Sequence, residues 1–94
     1  MNKPGFKILY HPLVVKNDIP KLSKTEKNKI KQAIENKLIN YPQIYGQPLR
    51  GTLKHYWKLR IGDWRIIYII KSNTVIILLI AHRGIVYKEA KKRL

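Results

Sequence analysis

The sequence predicts a single α+β domain over residues 1–94. It comprises an N-terminal strand, a helical hairpin packed on one face of a mainly antiparallel sheet that ends in a three-stranded meander, and a short C-terminal helix. Three observations predict this. The first half carries apolar residues at helical spacing. The second half holds three runs rich in Ile, Val, Tyr and Trp, and two-residue turn signals separate those runs. A chain of 94 residues, 45% of them hydrophobic, can bury one core with little stability to spare.

Phe6 to Tyr10 is short, mostly apolar and bounded by Pro4-Gly5 and Pro12, which reads as a strand. Leu13 to Leu22 reads as a short helix broken near Asp18 to Pro20. Ser23 with Glu26 three residues on forms a capping box, in which each side chain satisfies a backbone N–H of the other. Ile30, Ala33, Ile34 and Leu38 then make an apolar stripe, so the second helix runs to about Asn40, where Tyr41-Pro42 stops it. Pro42 to Gly51 reads as a loop. Tyr56 to Ile61, Trp64 to Ile70 and Thr74 to Arg83 are the meander strands, joined by Gly62-Asp63 and Ser72-Asn73. Val86 to Leu94 is a basic C-terminal helix or tail. The helices must cover one face of the sheet, because their stripe has nowhere else to go.

Charge narrows the function. Twenty Lys and Arg face five acids, a formal net charge of +15, which calls for a polyanion or an acidic partner. Lysines that only solvate a surface account for part of Lys24 to Lys37. They account less well for Lys58, Arg60, Arg65 and Arg83, which interrupt apolar strands. The absence of cysteine excludes disulfides and thiolate metal sites and fits a reducing compartment. Met1 to Lys7 is polar, with no apolar leader segment, and Val75 to Ala81 is too short to span a bilayer. The expectation is a soluble, cytoplasmic protein without membrane attachment.

Alternation along strands places Trp57, Leu59 and Ile61 toward the helices and Tyr56, Lys58 and Arg60 on the opposite face. Closing the hairpin at Gly62-Asp63 pairs Arg60 with Arg65, so Lys58, Arg60 and Arg65 gather on the face away from the helices. Two facing arginines repel unless an anion sits between them or solvent screens them. The functional reading is a phosphate site; the plainer one is a solvated sheet face. With a two-residue turn at Ser72-Asn73, His82 lands on this basic face and Arg83 on the other; a bulge swaps them. Tyr87 follows near the same open end. Ile67, Ile69, Ile76, Leu78 and Ile80 put an apolar strip on the non-helix side, which wants a partner unless the C-terminal segment with Ile85, Val86 and Leu94 folds over it.

Such a set suits RNA, which carries its own nucleophile. Attack of the 2′-OH on the adjacent phosphate needs a base, cations for the phosphorane charge, and an acid for the leaving oxygen. A lysine among cations, buried under bound RNA, is more readily neutral and so able to act as base. Arginine offers paired donors to phosphate oxygens, and Tyr87 offers a ring for stacking. His82 is a possible proton donor. Arg60, with Lys54, Arg50 and His55 from the preceding loop, is expected to bind substrate. His11, His55 and His82 are scattered, so neither a metal site nor a Ser-His-Asp triad is expected, and no cofactor is called for.

Pro48-Leu49-Arg50-Gly51, the run Trp57-Lys58-Leu59-Arg60-Ile61-Gly62-Asp63-Trp64-Arg65 with Tyr68, then His82-Arg83 and Val86-Tyr87, closely resemble the pattern of RelE toxins of the RelE/ParE superfamily. The resemblance covers nearly the whole chain and implies a RelE-like fold. It implies the toxin of a type II toxin–antitoxin system, an mRNA endoribonuclease acting in the ribosomal A site and inhibiting translation. Its partners would be mRNA, the ribosome and a cognate antitoxin that holds it in a hetero-oligomer. It also implies roles: Lys58 as general base, Arg65 stabilising the transition state, Arg83 protonating the leaving group, Tyr87 stacking on the mRNA, and Arg60 shaping the site. Some RelE proteins carry a second lysine where this chain has Tyr56; Lys54 or His55 stands nearby. His82 beside Arg83 resembles a sub-branch that uses histidine in proton transfer. A ParE-like gyrase inhibitor, which should not need Lys58, Arg65, Arg83 and Tyr87 together, is one alternative. The others are a non-catalytic RNA- or ribosome-binding module and a degenerate toxin that only binds its antitoxin.

Overall fold

In the computed structural model, which describes residues 5–94, helices start and stop where local chemistry requires. Pro4 and the polar start of the chain, used in the reading above, lie outside the described residues. Strand β1 spans Lys7–Tyr10. A wide helical turn, Val14–Asp18, tightens into a 3₁₀ turn at Ile19–Lys21, where Pro20 ends it. Helix α1, Lys24–Ala33, begins at the expected capping box. The Ser23 hydroxyl accepts from the Glu26 N–H at 3.1 Å, and the Glu26 carboxylate accepts from the Ser23 N–H at 2.9 Å. The helix continues through Ile34–Leu38 and buries Ile30, Ile34 and Leu38 against the sheet.

The segment read as a loop is more ordered than its composition suggests. It contains a one-turn helix, α2 (Pro42–Tyr45), a two-residue strand, β2 (Gln47–Pro48), and a 3₁₀ turn, Gly51–Leu53. Gly46 lies between α2 and β2 because nothing larger fits. The Tyr68 hydroxyl donates to the Pro42 carbonyl at 2.5 Å beneath it, and a Cβ on Gly46 would sit 1.8 Å from that hydroxyl. Gly46→Ala must therefore push a fully buried tyrosine off its partner. An expected loss of roughly 1–3 kcal/mol follows from such overpacking; urea unfolding measures it, and an unchanged midpoint would show that the loop simply yields.

Strands β3 (Trp57–Ile61), β4 (Trp64–Lys71) and β5 (Thr74–His82) form the meander. The five-stranded sheet has the order β1-β5-β4-β3-β2, with β1 parallel to β5 and the other pairs antiparallel. Arg60 pairs with Arg65 and Leu59 with Ile66, the register the Gly62-Asp63 turn dictates. Helix α3, Val86–Arg93, closes the chain on the second face. Among the described residues no helix is long and apolar enough to cross a membrane.

Register changes in β5. Ile67 pairs with Leu79, but Tyr68 pairs with Ile77, so Leu78 is an extra residue. Beyond it the faces exchange. Ile80 joins the helix-side core with Ile66 and Tyr68, and His82 pairs with Trp64. This corrects the apolar strip in two ways. Ile80 does not belong to it, and Ile67 is covered by the C-terminal segment: Val86 and Ala90 of α3 pack on Ile67, Leu79 and Ala81 in a second core cluster, while Ile69 and Ile76 stay partly exposed. Ile85 and Leu94 stay exposed.

Where β1 stops, the outer edge of β5 would carry unpaired backbone groups. Asp18 and Arg93 fill that gap. The Asp18 carboxylate accepts from the Ile80 N–H at 2.9 Å, and Arg93 donates to both its oxygens at 2.7 and 3.0 Å and to the Leu78 carbonyl at 3.2 Å. Asp18 is buried and Arg93 partly so, and the hydrogen bond to Asp18 holds the guanidinium in its charged form, above its ordinary pKa.

Candidate functional site

An open groove of about 480 Å³ runs over the end of the sheet, lined by Gln47, Lys58, Arg60, Arg65, Arg83 and Tyr87. These side chains arrive from several parts of the fold. Lys58 and Arg60 project from β3, Arg65 from β4, Arg83 from the turn after β5, and Tyr87 from the first turn of α3. Strand alternation, the tight hairpin and the bulge together bring them to one place.

The Gly62-Asp63 turn holds both arginines that matter most. Arg65 is only 8% exposed, and one of its terminal nitrogens donates to the Gly62 and Trp64 carbonyls, each at 2.9 Å. That anchorage leaves the rest of its guanidinium for the groove it lines. The Arg83 N–H donates to the Asp63 carbonyl at 2.8 Å, and its side chain faces the Asp63 carboxylate at 3.7 Å. The Arg65 guanidinium, fixed in this way, binds an anion at a lower entropic cost than a free one, whereas the Arg83 side chain stays largely exposed beside Asp63. Asp63, read in the sequence only as a turn residue, therefore also holds the backbone of a site arginine through its carbonyl. The signal that could have found it is the turn itself, since a two-residue turn must lie beside the strand end it meets.

Lys58 and Tyr87 form the other wall. The Lys58 ammonium donates to the Tyr87 hydroxyl at 2.6 Å and lies 5.3 Å from the ring centroid. The tyrosine ring is about half exposed, so one face remains open to a planar group.

His82 is not in this group. The extra residue at Leu78 turns it away, edge-on to the Trp64 ring at 5.7 Å between centroids. Its Nδ1 accepts from the Gly84 N–H at 3.2 Å. The proton-donor reading is corrected accordingly: the bulge exchanges His82 and Arg83, and Arg83 occupies the groove. Arg50, Lys54 and His55 are exposed on the connection between β2 and β3 and do not line the groove. Gln47, brought in by the pairing of β2 with Lys58, was not foreseen, because two residues beside a proline carry no strand pattern.

A cationic groove with a hydrogen-bonded lysine, an anchored arginine, further arginines beside it and an open aromatic ring can grip a phosphodiester and orient a base. Comparison with known proteins agrees with a shared scaffold. The family model described as the ParE toxin of the type II toxin–antitoxin system parDE matches residues 6–87. Among solved structures, the RelBE2 toxin–antitoxin complex of Mycobacterium tuberculosis is similar at a TM-score of 0.78 and 26% identity, over 84% of this chain and 99% of that one. The isolated RelE toxin of Escherichia coli is similar at 0.70 and 22%, over 94% and 97%. YafQ of Escherichia coli is similar at 0.63 and 19%, over 87% and 98%. The last two speak for the fold alone. No curated protein matches the chain by sequence.

Proposed function

The chain belongs to the ParE toxin family of type II toxin–antitoxin systems, and from that premise we propose that it is an endoribonuclease toxin that cuts mRNA in the ribosomal A site. The observation that carries the reading is the convergence of Lys58, Arg60, Arg65, Arg83 and Tyr87 on one groove. In this reading the mRNA parts the Lys58–Tyr87 pair. Tyr87 stacks on a base, and the Lys58 amine takes the proton of the 2′-OH. The 2′ oxygen bonds to phosphorus as the bond to the 5′ oxygen breaks, leaving a cyclic phosphate and a free 5′-OH. Arg65 and Arg60 meet the charge on the phosphorane oxygens. Arg83, in the role implied by the RelE resemblance, supplies the proton to the leaving oxygen. A cognate antitoxin is the expected protein partner, as in the Mycobacterium tuberculosis and Methanococcus jannaschii complexes the fold is similar to.

The test is mRNA cleavage on programmed ribosomes, with 5′ ends mapped at the A site, for wild type beside Arg65→Ala and Arg83→Ala. Wild type is expected to cut there and both variants to be nearly silent. Intact mRNA with wild type would sink the nuclease reading. A second reading, gyrase inhibition by binding, is favoured by one observation, that the matching family model is that of ParE toxins. Inhibited supercoiling by wild type, unaffected by Arg65→Ala, would establish it in place of the first.

A further inference from the structure

On the helix side of the Gly62-Asp63 turn lies a second open groove, of about 520 Å³, walled by Glu26, Lys29, Lys37, Arg60, Asp63 and Trp64. We propose that this groove is a second phosphodiester-binding site, which takes the RNA strand onward from the cleft. The inference rests on the reading of the cleft as an RNA site and deepens it.

Arg60 lines both grooves, and the topology explains how. Strand β2 pairs only with Trp57 and Lys58. Among the described residues no strand covers the outer edge of β3 from Leu59 to Ile61, so at Arg60 the two grooves meet. A strand held by Arg65 and Arg83 passes over Arg60 to reach α1.

Three cations, Lys29, Lys37 and Arg60, and two carboxylates, Glu26 and Asp63, line the second groove, so its rim is net positive. Both carboxylates on its rim are already engaged. One Glu26 oxygen accepts from the Ser23 N–H at 2.9 Å and the other from the Trp64 indole N–H at 3.1 Å. These bonds, that from the Ser23 backbone first, hold the carboxyl below its usual range, so it stays ionised with an oxygen turned to each donor. Asp63 faces Arg83. Lys29 is exposed, and the Lys37 ammonium lies 5.6 Å from the Tyr45 ring centroid. Three cations around an open groove, continuous with a phosphate-binding cleft, fit successive phosphates of one strand better than a single small anion.

The experiment uses 2′-O-methyl oligoribonucleotides of four and twelve nucleotides, which bind but cannot cut themselves. They are titrated by fluorescence anisotropy, over a range of salt, against wild type and the Lys29→Ala/Lys37→Ala double variant. Wild type is expected to bind the longer strand more tightly and with a steeper salt dependence. The double variant is expected to bind the short strand as wild type does, and to lose roughly one to two units of salt slope on the long one. No gain with length in wild type, an unchanged gain in the double variant, or an equal loss on both lengths would each overturn the inference. So would equal competition by polyglutamate, which would make the groove an acidic-peptide site. Ribosomal cleavage is read in parallel. A wild type that shows the length-dependent gain but never cuts would end the nuclease reading and leave the second groove standing.

Discussion

Lys58→Ala is expected to lower single-turnover mRNA cleavage by roughly 10²–10⁴-fold, the range for removing a general base, with the fold unchanged. The side chain is only partly buried, and its hydrogen bond among the described residues is to the exposed Tyr87, so little of the core depends on it. The same contact supplies an internal control. Tyr87→Phe keeps the ring and removes the hydroxyl that accepts from Lys58. If the tyrosine serves by stacking, Tyr87→Phe should cut nearly as fast as wild type, while Tyr87→Ala, which removes the stacking surface, should bind mRNA more weakly by about 1–3 kcal/mol. If the hydroxyl serves by orienting the amine, Tyr87→Phe should instead follow Lys58→Ala. Rates measured at saturating toxin separate the two, because a stacking loss disappears on saturation and a loss of base does not. A Lys58→Ala protein that cuts at the wild-type rate would remove Lys58 from the chemistry.

What the sequence revealed of this site follows from how tightly each register was specified. The Gly62-Asp63 turn allows one pairing, and that pairing sets Arg60 against Arg65 and Lys58 on their face. A polar–apolar alternation in β3 confirms it residue by residue. In β5 no such constraint exists. Thr74–His82 is apolar on both faces, because one face meets α1 and the other meets α3, and a strand buried on both sides shows no alternation. An extra residue at Leu78 therefore leaves no trace in composition, yet it decides that Arg83 rather than His82 enters the groove. Strand β2 escaped notice for a different reason: two residues, one of them Pro48, are recruited by β3 rather than by any preference of their own. The covering of the Ile67–Leu79 face was open in the sequence because Val86 and Ala90 are only two residues one helical turn apart, too few to announce a buried helix.

The Asp18–Arg93 pair was the least legible feature and is expected to have the largest effect on stability. Asp18 reads as a residue at a broken helix and Arg93 as part of a basic tail. Nothing in local periodicity joins positions so far apart in sequence. The structure sets them on the same bare stretch of β5, with side chains only 4% and 13% exposed. Arg93→Ala leaves a buried carboxylate with the Ile80 N–H as its remaining partner, and the Leu78 carbonyl loses a donor. Asp18→Ala leaves the Arg93 guanidinium with the Leu78 carbonyl alone and the Ile80 N–H without its acceptor. Either change is expected to cost about 3–5 kcal/mol, the range for removing one partner of a buried ion pair, a large fraction of the stability of so small a domain. The asymmetry of such pairs sharpens the expectation. Asp18→Ala/Arg93→Ala removes both charges together, so it should cost less than the two single changes combined, and the shortfall is the coupling energy of the pair. Urea unfolding of the four proteins gives that energy directly. Single variants that lose less than about 1 kcal/mol, or a double variant whose loss equals their sum, would mean that water reaches the pair and that α3 is held by Val86 and Ala90 alone.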